Sequence, residues 1–416
     1  MRCEGCAATV SRWSASSLCP ACHAIAGAAL PMPDQRRPRS ALWLWTNDDA
    51  RAALATGDLA VIIRAYRAAT GASQRQLADL LGYDPTYISM IETGRREIND
   101  VATRLRIAHH LGLPPHTIGV SDPDDADFTA MLQFGESTIR LAVIARQSGH
   151  GTEAVNELWP LVTRLETRVA DGHVERDVLH LLARARAELG VSLGYVLPEE
   201  RLASAARWTG RALWLAERLD DQALLAFALR VHGNELRKID HPGAAVARLR
   251  RSAELIPDGE RGAVLVQLAR AAGDLGDPVL FDHLVEDAWR LVDADPTGTL
   301  ASPYALHEVH LRGLVRTGRT QQAIELLDQQ PVSAIAIPPQ WLAILQVTAG
   351  EVLLARSDSA QAEAAFAIAI AIAENHRLPH QIQRAIRASD MRLPAIAGSA
   401  RSALERLRVP TSDQGR

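Results

Sequence analysis

Apolar residues recur every three to four positions along most of the chain from about residue 128 to residue 390. This spacing places apolar side chains on one face of an α-helix and leaves polar side chains on the opposite face. The pattern is interrupted near Pro198, Pro242, Pro278, Gly318 and Ser359, at intervals of roughly 40 residues. The region therefore predicts pairs of helices stacked into an α-solenoid.

The predicted solenoid, assigned to residues 128–400, resembles tetratricopeptide repeats in architecture only, because their strict consensus is absent. Stacked helix pairs curve, and the inner wall of such a curve holds peptides or small molecules. We expect two polar clusters to be candidates for ligand binding, one of Arg230, Asn234 and Arg237 and another of His307, His310 and Arg312. The alternative is a solvated polar face with a few satisfied buried groups.

Residues 73–94 have the pattern of two short helices joined by a tight turn. Ser73 and Gln76 have the spacing of a capping box, and Gly82 stands where the first helix must end in a left-handed conformation. Asp84 followed by Pro85 is typical of the start of a second helix. The apolar face of the first helix consists of Leu77, Ala78, Leu80 and Leu81.

The second helix of this pair predicts a recognition surface. Its residues Ile88 and Ile91 are expected to point into the core. The outer, N-terminal surface of such a helix meets base edges in the major groove of DNA. The residues left on that surface are Thr86, Tyr87, Ser89 and Met90.

Residues 59–120 resemble the XRE, or lambda-repressor-like, helix-turn-helix family. The resemblance rests on Leu77-Ala78, Gly82, Ile88-Ser89, Ile91-Glu92, Gly94-Arg95-Arg96, Ile107-Ala108 and Leu111-Gly112. It implies that Gln74 contacts phosphate and the first base, and that Thr86, Tyr87 and Met90 face bases. It also implies that Arg95 and Arg96 bind the DNA backbone, which fixes register without reading sequence.

The same resemblance implies an ion pair between Arg67 and Glu92. Two residues depart from the family pattern: Ala72, where a larger apolar residue is preferred, and Met90, which cannot make bidentate hydrogen bonds to a base. Two alternatives remain open at this point. The segment could be a small helical bundle with an incidental resemblance, or Tyr87 and Met90 could pack on a partner or on each other.

Four cysteines stand in the first 22 residues as Cys3-x-x-Cys6 and Cys19-x-x-Cys22. This spacing allows two tight turns to place four thiolates around a structural Zn²⁺ ion. Redox-active disulfides and the absence of any metal are the alternatives. The segment is similar to the small zinc ribbons that precede XRE domains in regulators of high-GC bacteria, and we assign residues 1–30 to it.

The remaining boundaries follow from composition. Residues 31–41 contain three prolines and three arginines without helical periodicity, and they predict a linker. Residues 42–120 are assigned to the helix-turn-helix domain. Trp43 and Trp45 are expected to begin a helix that packs onto this domain by burial in its core, and stacking on bases is the alternative. The acidic stretch at residues 122–127 marks the next boundary.

The charge is unevenly distributed along the chain. Residues 1–120 hold 13 Arg against 10 acidic residues, whereas the whole chain has a net charge of −4. Such a small positive excess predicts weak, salt-dependent binding to duplex DNA unless two copies act together, so we expect a homodimer. No apolar run is long enough to span a membrane and no export signal is evident, so a cytoplasmic location is expected.

No phosphate-binding Gly-rich loop, nucleophile elbow or His-Glu-x-x-His motif is present, and all four cysteines belong to the zinc candidate, so we do not expect an enzyme. The sequence predicts an all-α, sequence-specific DNA-binding transcriptional regulator whose helical repeats dimerise, sense a small molecule or peptide, or do both. A protein-interaction scaffold is the alternative from another class. An antitoxin or phage-defence component with the same DNA-binding head is a third possibility.

Overall fold

The computed structural model describes residues 48–113, 118–120, 125–170, 174–257, 260–294, 301–329 and 337–408. The predicted zinc ribbon with Cys3, Cys6, Cys19 and Cys22 lies outside these residues. The linker at residues 31–41 and the predicted helix start at Trp43 and Trp45 lie outside them as well. Within the described ranges all regular structure is helical, and no strand is present.

Five helices form the first part of the described chain: α1 (Asp48–Ala55), α2 (Leu59–Thr70), α3 (Gln74–Leu81), α4 (Pro85–Glu92) and α5 (Val101–Leu111). They surround one hydrophobic core, in which Ile62, Leu77, Ile88 and Ile107 are fully buried. Asp58, Ser73, Asp84 and Asp100 cap helices α2 to α5 with their side chains. These caps satisfy backbone N–H groups that have no partner within the helix.

Fourteen α-helices follow in the described residues, and they form seven pairs of consecutive helices. The pairs are α6 (Asp125–Gln147) with α7 (Gly151–Ala170), α8 (Arg176–Val196) with α9 (Leu202–Ala216), α10 (Gln222–Lys238) with α11 (Pro242–Leu255), α12 (Gly262–Leu275) with α13 (Pro278–Ala294), α14 (Pro303–Arg316) with α15 (Thr320–Leu327), α16 (Pro339–Ala355) with α17 (Ser359–Asn375), and α18 (Pro379–Ser389) with α19 (Pro394–Arg408).

The pairs stack in chain order. Each helix packs on the next, and the first helices of neighbouring pairs also pack on one another from α6 through α18. The breaks predicted near Pro198, Pro242, Pro278, Gly318 and Ser359 all fall at or beside turns within pairs. The first helices thus form one continuous wall, which is the arrangement expected of a solenoid.

The stack also closes on itself through contacts between α18 and the turn after α8. The backbone N–H of Glu199 donates to Oε1 of Gln383 at 2.8 Å, and Nε2 of Gln383 donates to Glu200 at 2.8 Å. Arg387 donates to Glu199, and Nδ1 of His380 lies 3.1 Å from the same carboxylate. Residues about 184 positions apart in sequence are therefore in direct contact.

None of the described helices combines the length and the apolar character that crossing a membrane would require.

Candidate functional site

Helices α3 and α4 form the two-helix unit that the sequence predicts. Ser73 and Gln76 make both hydrogen bonds of the capping box, and Gly82 ends α3 with φ of 71°. Asp84 accepts a hydrogen bond from the backbone N–H of Thr86 at 2.8 Å. Hydrogen bonding from the side chain of Thr86, together with this backbone bond, holds the pKa of Asp84 below its usual value. Ala78 is fully buried where the helices cross. A larger side chain at this position would push the two helices apart.

The outer surface of α4 is partly open to solvent. Thr86 is exposed, whereas Ser89 and Met90 are half-buried and Ile88 and Ile91 are buried in the core. Arg95 and Arg96, which follow the helix, are also exposed. The face of α4 therefore carries short polar and thioether groups, with two guanidinium groups beside it.

Tyr87 has neighbours within the domain. Its ring centroid lies 4.9 Å from that of Tyr83, and the guanidinium of Arg96 lies 5.9 Å from the Tyr87 ring. Arg106 donates to the hydroxyl of Tyr83 and stacks at 5.0 Å on its ring. Tyr87 is consequently half-buried in an aromatic and cationic stack, which restricts the directions in which it can reach a base.

A polar network lies behind the surface of α4. Nη1 of Arg67 contacts both carboxylate oxygens of Glu92, at 2.9 and 3.0 Å, which confirms the ion pair that the family resemblance implies. Nε2 of Gln74 donates to Glu92 at 2.6 Å, and Arg64 donates to the backbone carbonyl of Glu92. The network joins α2 and α3 to the end of α4.

This network engages one end of Gln74, the residue predicted to contact phosphate. The Gln74 amide can still donate its second N–H and accept through its oxygen. Any contact with DNA has to be compatible with the hydrogen bond to Glu92 or replace it.

Arg75 and Arg106 are exposed cations that the sequence reasoning does not select. Arg75 lies in the first turn of α3 next to Gln74, so its proximity to that residue was the available signal. Arg106 lies on α5, and only the fold brings it against Tyr83 in the turn between α3 and α4.

Four of the six ligand candidates in the repeats share one cavity. Arg230, Asn234 and Arg237 of α10 and Arg312 of α14 all line a cavity of about 190 Å³. His307 lines a smaller cavity of about 90 Å³. His310 lines neither of these cavities, and its ring centroid lies 6.1 Å from that of Phe281.

The larger cavity, here called the central cavity, is lined almost entirely by the first helices of the seven pairs. Sequence reasoning missed most of its charged lining, since those residues are far apart in the chain. The cations are Arg146, Arg230, Arg237, Lys238, Arg270 and Arg312. Tyr195 and Trp341 contribute aromatic rings to the same wall.

The described residues contain no cluster of three or more His, Cys, Asp or Glu side chains suited to a metal ion. The four cysteines lie outside those residues, so the predicted zinc site stays a prediction.

In comparison with known families, residues 58–118 match the family described as a helix-turn-helix domain. The match covers α2 to α5 and agrees with the resemblance at residues 59–120. Comparison with curated proteins gives no match.

Proposed function

We propose, from the helix-turn-helix domain at residues 58–118, that this protein is a sequence-specific DNA-binding transcriptional regulator. The observation that carries the proposal is the capped α3-turn-α4 unit, which holds Thr86 exposed at the start of α4 with Arg95 and Arg96 exposed beyond it. A helix presented in this way fits lengthwise in the major groove.

In the proposed complex the residues divide by role. Thr86, Ser89 and Met90 face base edges, whereas Arg95, Arg96 and the start of α3 at Gln74 contact phosphates. Met90 offers an apolar contact of the kind that suits a thymine methyl group. Tyr87 presents the edge of its stacked ring to the bases. The arginines then supply affinity and register, and the short side chains of α4 supply base preference.

Selection of genomic DNA fragments by the purified protein tests this proposal. We expect an enriched motif and a dissociation constant that rises with salt. The double variant Thr86→Ala/Arg95→Ala should lose at least tenfold in affinity for that motif. Arg392→Ala, which removes an exposed arginine between α18 and α19, is the control and should bind like the wild type. Equally weak binding without sequence preference by wild type and double variant would favour the protein-interaction scaffold instead.

We also propose that the protein acts as a homodimer. Helix α6 follows the DNA-binding domain directly and exposes Phe134, Leu141 and Ile144, with 63%, 65% and 52% of their surface accessible. Exposed apolar groups at this spacing suit pairing with a second copy of the helix. Light scattering should give twice the chain mass, and Phe134→Asp/Leu141→Asp should give one chain mass. An enriched motif with two half-sites would agree with the dimer.

The Cys3, Cys6, Cys19 and Cys22 set is proposed to hold one structural Zn²⁺ ion, on the basis of its spacing. Native mass spectrometry should show one zinc ion per chain, and Cys3→Ser/Cys19→Ser should lose it. A mass equal to that of the bare chain in the wild type would contradict this part of the proposal without affecting the DNA-binding part.

The helical repeats are proposed to bind an effector and to couple this binding to the helix-turn-helix domain. Such coupling requires a ligand that binds differently to DNA-competent and DNA-incompetent arrangements. An antitoxin or phage-defence role would use the same head, and a toxin-like protein that copurifies on the repeats would favour that role.

A further inference from the structure

The central cavity contains more positive than negative charge. Its six cations, Arg146, Arg230, Arg237, Lys238, Arg270 and Arg312, face four carboxylates at or just behind the wall: Glu188, Glu235, Asp274 and Glu308. Arg384 and Glu351, which pair with each other at 3.0 Å, add one charge of each sign. Two positive charges are therefore left without a countercharge among these groups.

Arg230 is a half-buried cation on the wall of the cavity. It makes no hydrogen bond or ion pair with a described residue, and its guanidinium stacks on Phe227 with 5.5 Å to the ring centroid. Burial lowers its pKa. Glu188 offsets part of this effect but already pairs with Arg146, so a bound anion would neutralise the charge that remains on Arg230.

The paired cations also retain unused donors. The Nε atoms of Arg146, Arg237 and Arg270 are buried and have no hydrogen-bond partner among the described residues. Arg237 and Arg312 share the single carboxylate of Asp274, at 2.8 and 3.3 Å, and Arg270 is 3.9 Å from Glu308. Burial, together with repulsion from Arg237, lowers the pKa of Arg270 to about 9. Further negative charge would relieve this repulsion.

The number and origin of the guanidinium groups indicate the kind of anion. They come from four helices, α6, α10, α12 and α14, so they approach the cavity from several directions. A planar carboxylate is matched by one guanidinium fork, whereas the terminal oxygens of a tetrahedral phosphate accept from several forks at once. Tyr195 and Trp341 line the same cavity and orient its cations, since Arg146 and Lys238 lie over the Tyr195 ring and Arg270 lies over the Trp341 ring.

We infer that the central cavity is a binding site for a small phosphorylated molecule, held by Arg230 together with the guanidinium groups of Arg146, Arg237 and Arg270 that line the same wall. This inference rests on the proposed effector role of the repeats and names the chemical class of the effector. His380 and Gln381 of the seventh pair line the cavity, and the closure between α18 and the turn at Glu199 holds this pair in place.

Titration calorimetry on the full chain at physiological ionic strength tests the inference, with pyrophosphate and phenyl phosphate as probes and succinate as the dicarboxylate comparison. We expect saturable binding of both phosphate probes, one per chain, at least tenfold tighter than succinate. Absence of binding by both phosphate probes, or equal binding of succinate, would overturn the assignment.

Variants locate the site. Arg230→Gln leaves no buried carboxylate unpaired, so the chain should fold, and affinity for both probes should fall at least tenfold. Gln267→Glu is nearly isosteric and places a carboxylate on the cavity wall, where it should compete with the probes and abolish binding. Arg392→Gln, which removes an exposed cation outside the cavity, should change nothing. An equal loss in Arg392→Gln would show nonspecific charge attraction and contradict the site.

The same samples separate this inference from the proposed function. If the probes bind but no DNA motif is enriched, the cavity assignment stands and the regulator proposal fails. If a motif is enriched but the probes do not bind, the regulator proposal stands and the cavity assignment fails.

Discussion

At the scale of single residues, Glu92 shows how one carboxylate holds the DNA-binding domain together. It is 6% exposed and accepts from Arg67 and Gln74, while its backbone carbonyl accepts from Arg64. Each donor comes from α2 or α3, so the end of α4 is fixed against both helices. Removing a donor leaves negative charge buried with fewer partners.

We therefore expect Arg67→Met to lower the free energy of unfolding of the domain by about 3 kcal/mol, near the lower end of the range for breaking a buried pair, since Arg67 is 27% exposed. Urea denaturation monitored by circular dichroism would measure the loss. Arg75→Met, an exposed arginine on α3, is the matched control and should change stability by less than about 0.5 kcal/mol. Equal effects of the two changes would contradict the role of the pair.

His232 gives the repeats a predictable response to acid. It is 2% exposed, its Nδ1 lies 3.0 Å from Oγ1 of Thr209, and burial with repulsion from Arg248 lowers its pKa from 6.5 to about 3. The unfolded chain takes up this proton below about pH 6.5, whereas the folded chain resists it until about pH 3. The stability that depends on neutral His232 is therefore present above pH 6.5 and decreases as the pH falls.

The melting temperature of the wild type should accordingly fall between pH 6.5 and pH 4. His232→Gln should show a shallower fall over the same interval, even if its melting temperature at pH 7 is lower. Differential scanning calorimetry across this range checks the prediction. Parallel curves for the two proteins would exclude His232 as a contributor.

At the scale of helices, glycines set how closely neighbouring pairs approach. A β-carbon added at Gly273 of α12 would lie 3.1 Å from the α-carbon of Gly313 of α14, so the two backbones nearly touch. A β-carbon added at Gly313 would overlap the buried ring of Phe281 in α13. Three helices therefore meet at a point where no methyl group fits.

Gly313→Ala is expected to lower the free energy of unfolding by about 1–3 kcal/mol through overpacking, because the ring of Phe281 must move. Gly398→Ala in α19, where an added β-carbon meets open space, is the control and should raise stability by up to about 1 kcal/mol. Thermal and urea denaturation of both variants would compare them. A neutral or stabilising Gly313→Ala would show that the helices can separate at little cost.

At the scale of the whole molecule, the closure of the repeats depends on a few polar contacts between distant segments. Gln383 contacts both the backbone of Glu199 and the side chain of Glu200, and Arg387 pairs with Glu199. Burial acts to raise the pKa of Glu199, but its interactions with His380 and Arg387 outweigh burial, so the pKa lies below its usual value. The carboxylate is thus charged at neutral pH and available for the closure.

We expect Gln383→Ala/Arg387→Ala to open the stack while leaving its helices intact. Small-angle X-ray scattering should give a larger radius of gyration, and amide hydrogens of α18 should exchange faster. Arg392→Ala, with an exposed side chain beyond the end of α18, is the control and should leave both measurements unchanged. An unchanged double variant would show that apolar packing alone keeps the stack closed.

The sequence alone determined the local structure of the DNA-binding domain. The capping box at Ser73, the left-handed Gly82 and the Asp84-Pro85 helix start all depend on residues within four positions of one another, and the structure confirms each of them. The all-helical class and the breaks between helices were predictable for the same reason, because helical periodicity is a local property of the chain.

Only the tertiary structure decided which charges come together. Arg106 reaches Tyr83, and Arg146, Arg230, Arg270 and Arg312 meet in one cavity, although they lie on different helices far apart in the chain. His307 and His310, three positions apart on one helix, enter different surroundings because they point to different neighbours. Such groupings follow from the superhelical path of the stacked pairs, which depends on packing between helices, so no local pattern in the sequence encodes them.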